Sequence, residues 1–196
     1  MRQIEQGALQ RALAGDEEAF AQVVEVYQTP VFNLCYRMLG DGGEAEDAAQ
    51  ETFWRAYQAI NRYDRQRPFG TWLLSIAAHF CIDQQRKRRL QTFELDEVAE
   101  ETLPDPTPDP EKAANQNEQD RLLHKLLANM NAQDRAVIIL RYWYDFSEEE
   151  IGQALSLTIS AVKSRLHRAR LLLAQRWQDA QPQTVPERKR YGSPAF

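Results

Sequence analysis

Cysteine is scarce in this 196-residue chain, with Cys35 and Cys81 alone and in no paired spacing. That excludes a disulfide scaffold and argues against a cysteine-based zinc site. Histidine is nearly as sparse, and His79, His124 and His167 are scattered. No His-x-x-x-His pair, glycine-rich phosphate loop or nucleophile elbow appears, so no catalytic residue, metal or cofactor is expected. No apolar run approaches the ~20 residues of a membrane span, so no membrane insertion is expected. Met1–Leu13 lacks the continuous apolar stretch of a secretory signal. These absences leave a cytoplasmic protein as the expectation. An alternating strand pattern long enough to build a sheet is also missing.

What is present is strongly partitioned charge. The net charge of −5 conceals three zones. Residues 1–90 carry 11 basic and 12 acidic side chains, and residues 121–196 carry 12 and 7. Residues 91–120 hold 1 basic and 10 acidic side chains. The acidity therefore sits mostly in one middle segment and says little about partners. Two basic clusters stand out, Arg86-Lys87-Arg88-Arg89 and the series Lys163, Arg165, Arg168, Arg170, Arg176. No acidic residue falls between Ile151 and Gln178. Such clusters suit a phosphate backbone, although a lone one is as often a solvated helix face.

The middle segment reads as a tether. Leu103–Pro110 places four prolines in eight residues, and proline both removes a donor and disfavours helix before it. The chain divides into residues 1–90, a flexible acidic proline-rich linker at 91–117, residues 118–179, and a disordered tail at 180–196. Both halves read as helical. Phe20, Val23, Val24, Tyr27, Val31, Leu34, Cys35 and Met38 recur at helical spacing until Asp41-Gly42-Gly43 breaks the pattern. A helix over Glu44–Ile60, a polar loop Asn61–Arg67 and a long helix from Phe69 to about Arg89 follow. Trp72, Leu73, Ile76, Ala77, Phe80 and Cys81 share its buried side. The fold class is all-α, two small helical domains on a tether.

The second half carries the sharper pattern. Helices are predicted over 121–130 and from Asp134 through Arg141. Ser147 precedes Glu148-Glu149-Glu150 and so forms a capping box with Glu150. That short helix ends near Leu155, Ser156 and Leu157 turn the chain, and Thr158 caps the last helix. A short helix, a tight turn and a longer basic helix make a helix-turn-helix. On the last helix Val162, Leu166, Ala169 and Leu173 cluster on one side. Ser160, Ser164, His167 and Arg168 lie opposite, with Lys163 flanking. Lys163, Ser164 and Arg168 are therefore expected near DNA, since the start of the second helix reads base edges in such folds.

Four stretches together resemble the extracytoplasmic-function group of bacterial sigma-70 factors. They are Gly15-Asp16-Glu17-Glu18-Ala19-Phe20, Glu46-Asp47-Ala48-Ala49-Gln50-Glu51-Thr52-Phe53, Thr71-Trp72-Leu73-Leu74-Ser75-Ile76-Ala77 and Val162-Lys163-Ser164-Arg165-Leu166-His167-Arg168-Ala169-Arg170. They stand in the family's order, with the family's linker between the second pair, and the likeness covers about residues 5–178. It implies sigma domain 2 over 1–90 and sigma domain 4 over 118–179. It also implies a non-enzymatic initiation factor whose partners are core RNA polymerase, promoter DNA and an anti-sigma factor.

The resemblance further assigns roles. Asp47, Gln50, Glu51 and Trp54 would meet the polymerase. The loop Arg62–Phe69 would take a flipped base of the −10 element, with Tyr63 as a stacking face and Arg62, Arg65 and Arg67 on phosphates. Trp72 would shape that region, His79 would flank the base pocket, and Arg86 and Lys87 would hold upstream backbone. Arg141, Lys163, Ser164, Arg165, His167 and Arg168 would lie at the −35 element, although spacing puts Arg165 nearer the core side. Ser156 and Ser160-Ala161 depart from the family's common glycine and Gly-Thr. The loop Asp64–Pro68 lacks a frequent glycine. A conventional helix-turn-helix regulator explains the second half equally well but not the arginine-rich loop, Trp72 and the basic cluster of the first.

Overall fold

The computed structural model describes residues 4–96 and 118–180, and every regular element in them is helical. Of the linker expected at 91–117, residues 91–96 are helical instead, because the preceding helix runs on through them, and residue 180 of the tail expected at 180–196 likewise ends a helix; the remainder of both lies outside the described residues. The N-terminal group is α1 (Gln6–Leu13), α2 (Glu17–Leu39), α3 (Gly42–Ala59), a 3-10 turn (Ile60–Arg62) and α4 (Phe69–Asp96). The C-terminal group is α5 (Glu118–Ala128), α6 (Ala132–Trp143), α7 (Glu148–Leu155) and α8 (Ile159–Ala180).

Local chemistry sets the boundaries. Asp16 accepts from the Ala19 N–H at 3.1 Å and starts α2, with Glu17 and Glu18 on the positive end of its dipole. Gly40 ends α2 in the left-handed region (φ 84°), its N–H bonded to the Tyr36 carbonyl. Asp41 then caps α3 through the Glu44 N–H at 2.9 Å. This cap moves the start of α3 to Gly42, two residues ahead of the predicted Glu44. Pro30 sits inside α2, where it removes one backbone donor without ending the helix. α4 continues beyond Arg89 to Asp96, and α1 has no counterpart in the sequence prediction.

Helices α1–α4 pack around Val23, Tyr27, Leu34, Met38, Leu73, Leu74 and Ala77, with the alanines of α3 against them. Cys35 and Cys81 are free thiols in this core. In the C-terminal group Leu127, Val137, Ile138, Leu140, Ile151, Val162 and Leu166 are buried. The two groups also touch. Helix α2 packs on α5 and α6, and α4 packs on α6 and α7.

Candidate nucleic-acid interface

The helix-turn-helix is assembled by short-range bonds. Ser147 Oγ accepts from the Glu150 N–H at 3.1 Å, and Glu150 Oε2 accepts from the Ser147 N–H at 2.7 Å. The predicted capping box is thus formed. Ser156 closes α7 in the left-handed region (φ 55°), the position where the resemblance led one to expect glycine. Thr158 Oγ1 accepts from the Ala161 N–H at 3.2 Å and opens α8 as predicted. Gly152, which the sequence reading passed over, is obligatory here. A Cβ on it would lie 2.8 Å from the Leu157 carbonyl oxygen, so the turn closes against bare backbone.

On α8, Val162, Leu166 and Ala169 are buried, while Lys163, Ser164, His167, Arg168 and Arg170 are exposed. The outward surface is that predicted from helical spacing. Two arginines of α8 meet one carboxylate of α6. Arg165 Nη1 meets Asp134 Oδ1 at 2.7 Å, and Arg168 Nη2 reaches the same oxygen at 3.4 Å. Asp134 itself is buried on α6 and also accepts from Asn131 Nδ2 at 2.7 Å. Arg165 is the more enclosed of the two, its side chain 22% exposed against 59% for Arg168. Arg165 therefore anchors α8 on α6, whereas Arg168 keeps donors facing outward. Lys163 Nζ lies 3.5 Å from Glu148 Oε2 of α7 in solvent. Arg141, at the end of α6, donates to the Phe146 carbonyl at 2.8 Å and braces the segment that leads into α7.

The arginine-rich loop is also structured. Asp64 Oδ1 accepts from the Gln66 N–H at 3.0 Å, and Arg67 Nε lies 3.5 Å from Asp64 Oδ2. The Tyr63 hydroxyl donates to the Arg67 carbonyl. Pro68 accepts from the Thr71 and Trp72 N–H groups and so begins α4. Beneath the loop, Tyr63, Phe69 and Trp72 form a triangle with ring centroids 5.2–5.3 Å apart. This aromatic floor leaves Tyr63 and Trp72 half-buried while Arg62, Arg65 and Arg67 stay exposed. Trp72 is thus less enclosed than its spacing with Ile76 and Phe80 led one to expect. His79 is exposed one face further along α4, its Nδ1 2.9 Å from the Ser75 carbonyl oxygen. Arg86 and Lys87 lie further along the same helix, also exposed. The neighbouring Arg88 pairs with Glu44.

Helix α3 presents Asp47, Gln50 and Trp54 to solvent, with Glu51 half-buried and bonded to Arg55 at 2.7 Å. Trp54 is 58% exposed, the largest aromatic surface among the described residues. Its ring stacks on Tyr57, which fixes its direction. An exposed, held indole beside mixed polar groups is the chemistry of a protein interface. Among the described residues no helix is long and apolar enough to cross a membrane.

Comparison with known proteins places these surfaces in context. Residues 23–91 match the family model of Sigma-70 region 2, and residues 120–173 match that of Sigma-70, region 4. The chain is 37% identical to the ECF RNA polymerase sigma factor SigW of Bacillus subtilis, over 84% of this chain and 92% of that one. It is 34% identical to the ECF RNA polymerase sigma factor SigL of Mycobacterium tuberculosis, over 81% and 88%. The fold is similar to CnrH, solved with the cytosolic domain of CnrY, at a TM-score of 0.64 and 24% identity over 89% of this chain and 97% of that one. It is similar to the same degree, TM-score 0.64 at 23% identity, to the sigma factor RpoE of Bartonella quintana solved with the anti-sigma factor NepR, over 83% and 98%.

Proposed function

The chain belongs to the extracytoplasmic-function group of the sigma-70 factors, and from that premise we propose how its residues divide the work of initiation. Residues 1–90 act as sigma domain 2 and residues 118–179 as sigma domain 4. The α3 surface of Asp47, Gln50, Glu51 and Trp54 docks on core RNA polymerase. The loop with Arg62, Tyr63, Arg65 and Arg67 takes the −10 element, backed by Trp72 and flanked by His79. A base drawn from the stack is stabilised on an aromatic face, while the arginines neutralise phosphates. Arg86 and Lys87 hold the upstream backbone by charge.

At the −35 element Ser164, His167 and Arg168 face the major groove, with Lys163 beside them. Small and polar side chains at the start of α8 let the helix approach base edges closely. Arg141 and Arg165 serve this reading by holding the loop and the helix, through Phe146 and Asp134. The protein works in the cytoplasm and performs no catalysis of its own. Its two DNA readers share one tether, so each raises the effective concentration of the other. Control by an anti-sigma protein fits the same surfaces, and the similarly folded sigma factor RpoE was solved with the anti-sigma factor NepR.

The observation that carries this reading is the presence, in one chain, of an exposed basic helix-turn-helix face and an arginine loop on an aromatic floor. Run-off transcription with core polymerase, on DNA from upstream of the gene, tests it. The expected outcome is initiation at a discrete start site only when the protein is added. Tight promoter binding by the protein alone, without stimulation of the polymerase, would instead identify a conventional regulator.

A further inference from the structure

Asp134 and Asn131 of α6 and Arg165 and Arg168 of α8 form one polar cluster between the two helices. We propose, resting on the sigma reading above, that the buried Asp134 is a positioning residue for sequence reading. Its carboxylate aims the Arg168 guanidinium at a single guanine of the −35 duplex.

The carboxylate is held from its own helix. Asn131 caps α6 by accepting from the Asp134 N–H at 2.9 Å, and its Nδ2 donates to Asp134 Oδ2 at 2.7 Å. This reciprocal pair in the first turn leaves Oδ1 to face α8. There Arg165 Nη1 donates at 2.7 Å and Arg168 Nη2 at 3.4 Å, both to that oxygen. Two guanidinium groups on one carboxylate leave a unit of positive charge uncompensated. Arg165 is close and enclosed, whereas Arg168 is more distant and largely in water. The surplus charge therefore belongs to Arg168, on the outward side of α8.

The position of Arg168 suits a base edge. Side chains on a helix lean toward its N-terminus, so Arg168 extends back toward Ser164, one turn earlier. Ser164 is short and exposed and leaves that approach open. The bond to Asp134 uses one proton of Nη2, and the rest of the planar fork stays available. Such a fork matches N7 and O6 of guanine bidentately. An unheld surface arginine meets phosphates as readily as bases and loses rotamer freedom when it docks. One held from behind has its direction before contact, and the water expelled by the duplex strengthens the hold. Lys163, paired with Glu148 in solvent, is a point charge on a flexible stem and suits a phosphate instead.

The test compares initiation rates of holoenzyme formed from the full chain and core polymerase. The template is DNA from upstream of the gene, with each base placed in turn at each pair of the −35 duplex. The parent is expected to prefer guanine at one pair by about tenfold, and Arg168→Ala to lose that preference. Asp134→Asn keeps the shape and removes the charge. It is expected to reduce the guanine preference to about twofold while preferences at the other pairs persist. Adding it to Arg168→Ala is expected to change base preference no further. Asn131→Ser keeps a cap for α6 but drops the Nδ2 donor, and is expected to leave about a threefold preference. Loss of preference at every pair alike would show that Asp134 only holds the helix, and would overturn the inference. So would an unchanged guanine preference in Asp134→Asn, or in Asn131→Ser if circular dichroism shows the first variant unfolded. A parent that initiates with no guanine preference would overturn it too. A parent that does not initiate at all would overturn the sigma reading itself, and the inference with it.

Discussion

Asp134 decides how α8 is held. It is 6% exposed and shares its charge with Arg165, Arg168 and Asn131. Removing one partner of a buried pair leaves the other charge uncompensated, so Asp134→Ala is expected to cost about 3 kcal/mol in urea unfolding. Arg168→Ala is expected to cost under about 1 kcal/mol, because that side chain is largely in water. Nothing local in the sequence marks this pair, whose members are 31 positions apart. Helical spacing did place Arg165 toward the core, which was the legible half of the answer. A second residue-scale consequence concerns alkaline pH. The Cys81 thiol is raised from its ordinary 9.0 by its bond to Cys35 and by burial. Burial likewise raises Tyr144 from 10.0. In both cases the folded chain keeps a proton that the unfolded chain releases. The contribution of these two groups is therefore level below their ordinary values and falls as pH rises past 9.0 for Cys81 and 10.0 for Tyr144. Chemical denaturation from pH 7 to 11 reads this loss, and Tyr144→Phe is expected to blunt the part above pH 10.

At the scale of elements, the α7–α8 unit was the most legible part of the chain because its signals are local. The Ser147–Glu150 box and the Thr158 cap involve residues three apart, and all three bonds formed where the sequence placed them. Ser147→Ala is expected to destabilise the C-terminal group by about 1 kcal/mol in thermal melts. Ser156 adopts a left-handed conformation that costs an L-residue about 1 kcal/mol. Ser156→Gly is therefore expected to raise the melting temperature, with part of the gain offset by the greater freedom of glycine when unfolded. Elsewhere the sequence was harder to read. Helix α1 lacks a side-chain cap and buries only Ala8 and Ala12, which gives periodicity little to detect. The start of α3 was displaced because two glycines look like a break, whereas the Asp41 cap draws them into the first turn.

For the whole molecule, the sequence yielded two helical domains and their family likeness, but not the way they meet. The Tyr144–Pro30 bond joins positions 114 apart, and no pattern within either segment foretells it. Arg37 of α2 also lies over the Trp143 ring, 5.2 Å from its centre, and these contacts between the groups predict coupled unfolding. Calorimetry of the parent chain is expected to show one cooperative transition, and Arg37→Glu two that partly separate. Arg135 and Tyr144 both donate to main-chain carbonyls, those of Met38 and Pro30. Every amino acid supplies that oxygen, so no exchange at position 30 or 38 deletes an acceptor. Substitution at position 144 is therefore expected to loosen the contact between the groups readily in thermal melts, and substitution at positions 30 and 38 seldom. The two halves of the gene are unequal in how easily mutation can part the two groups.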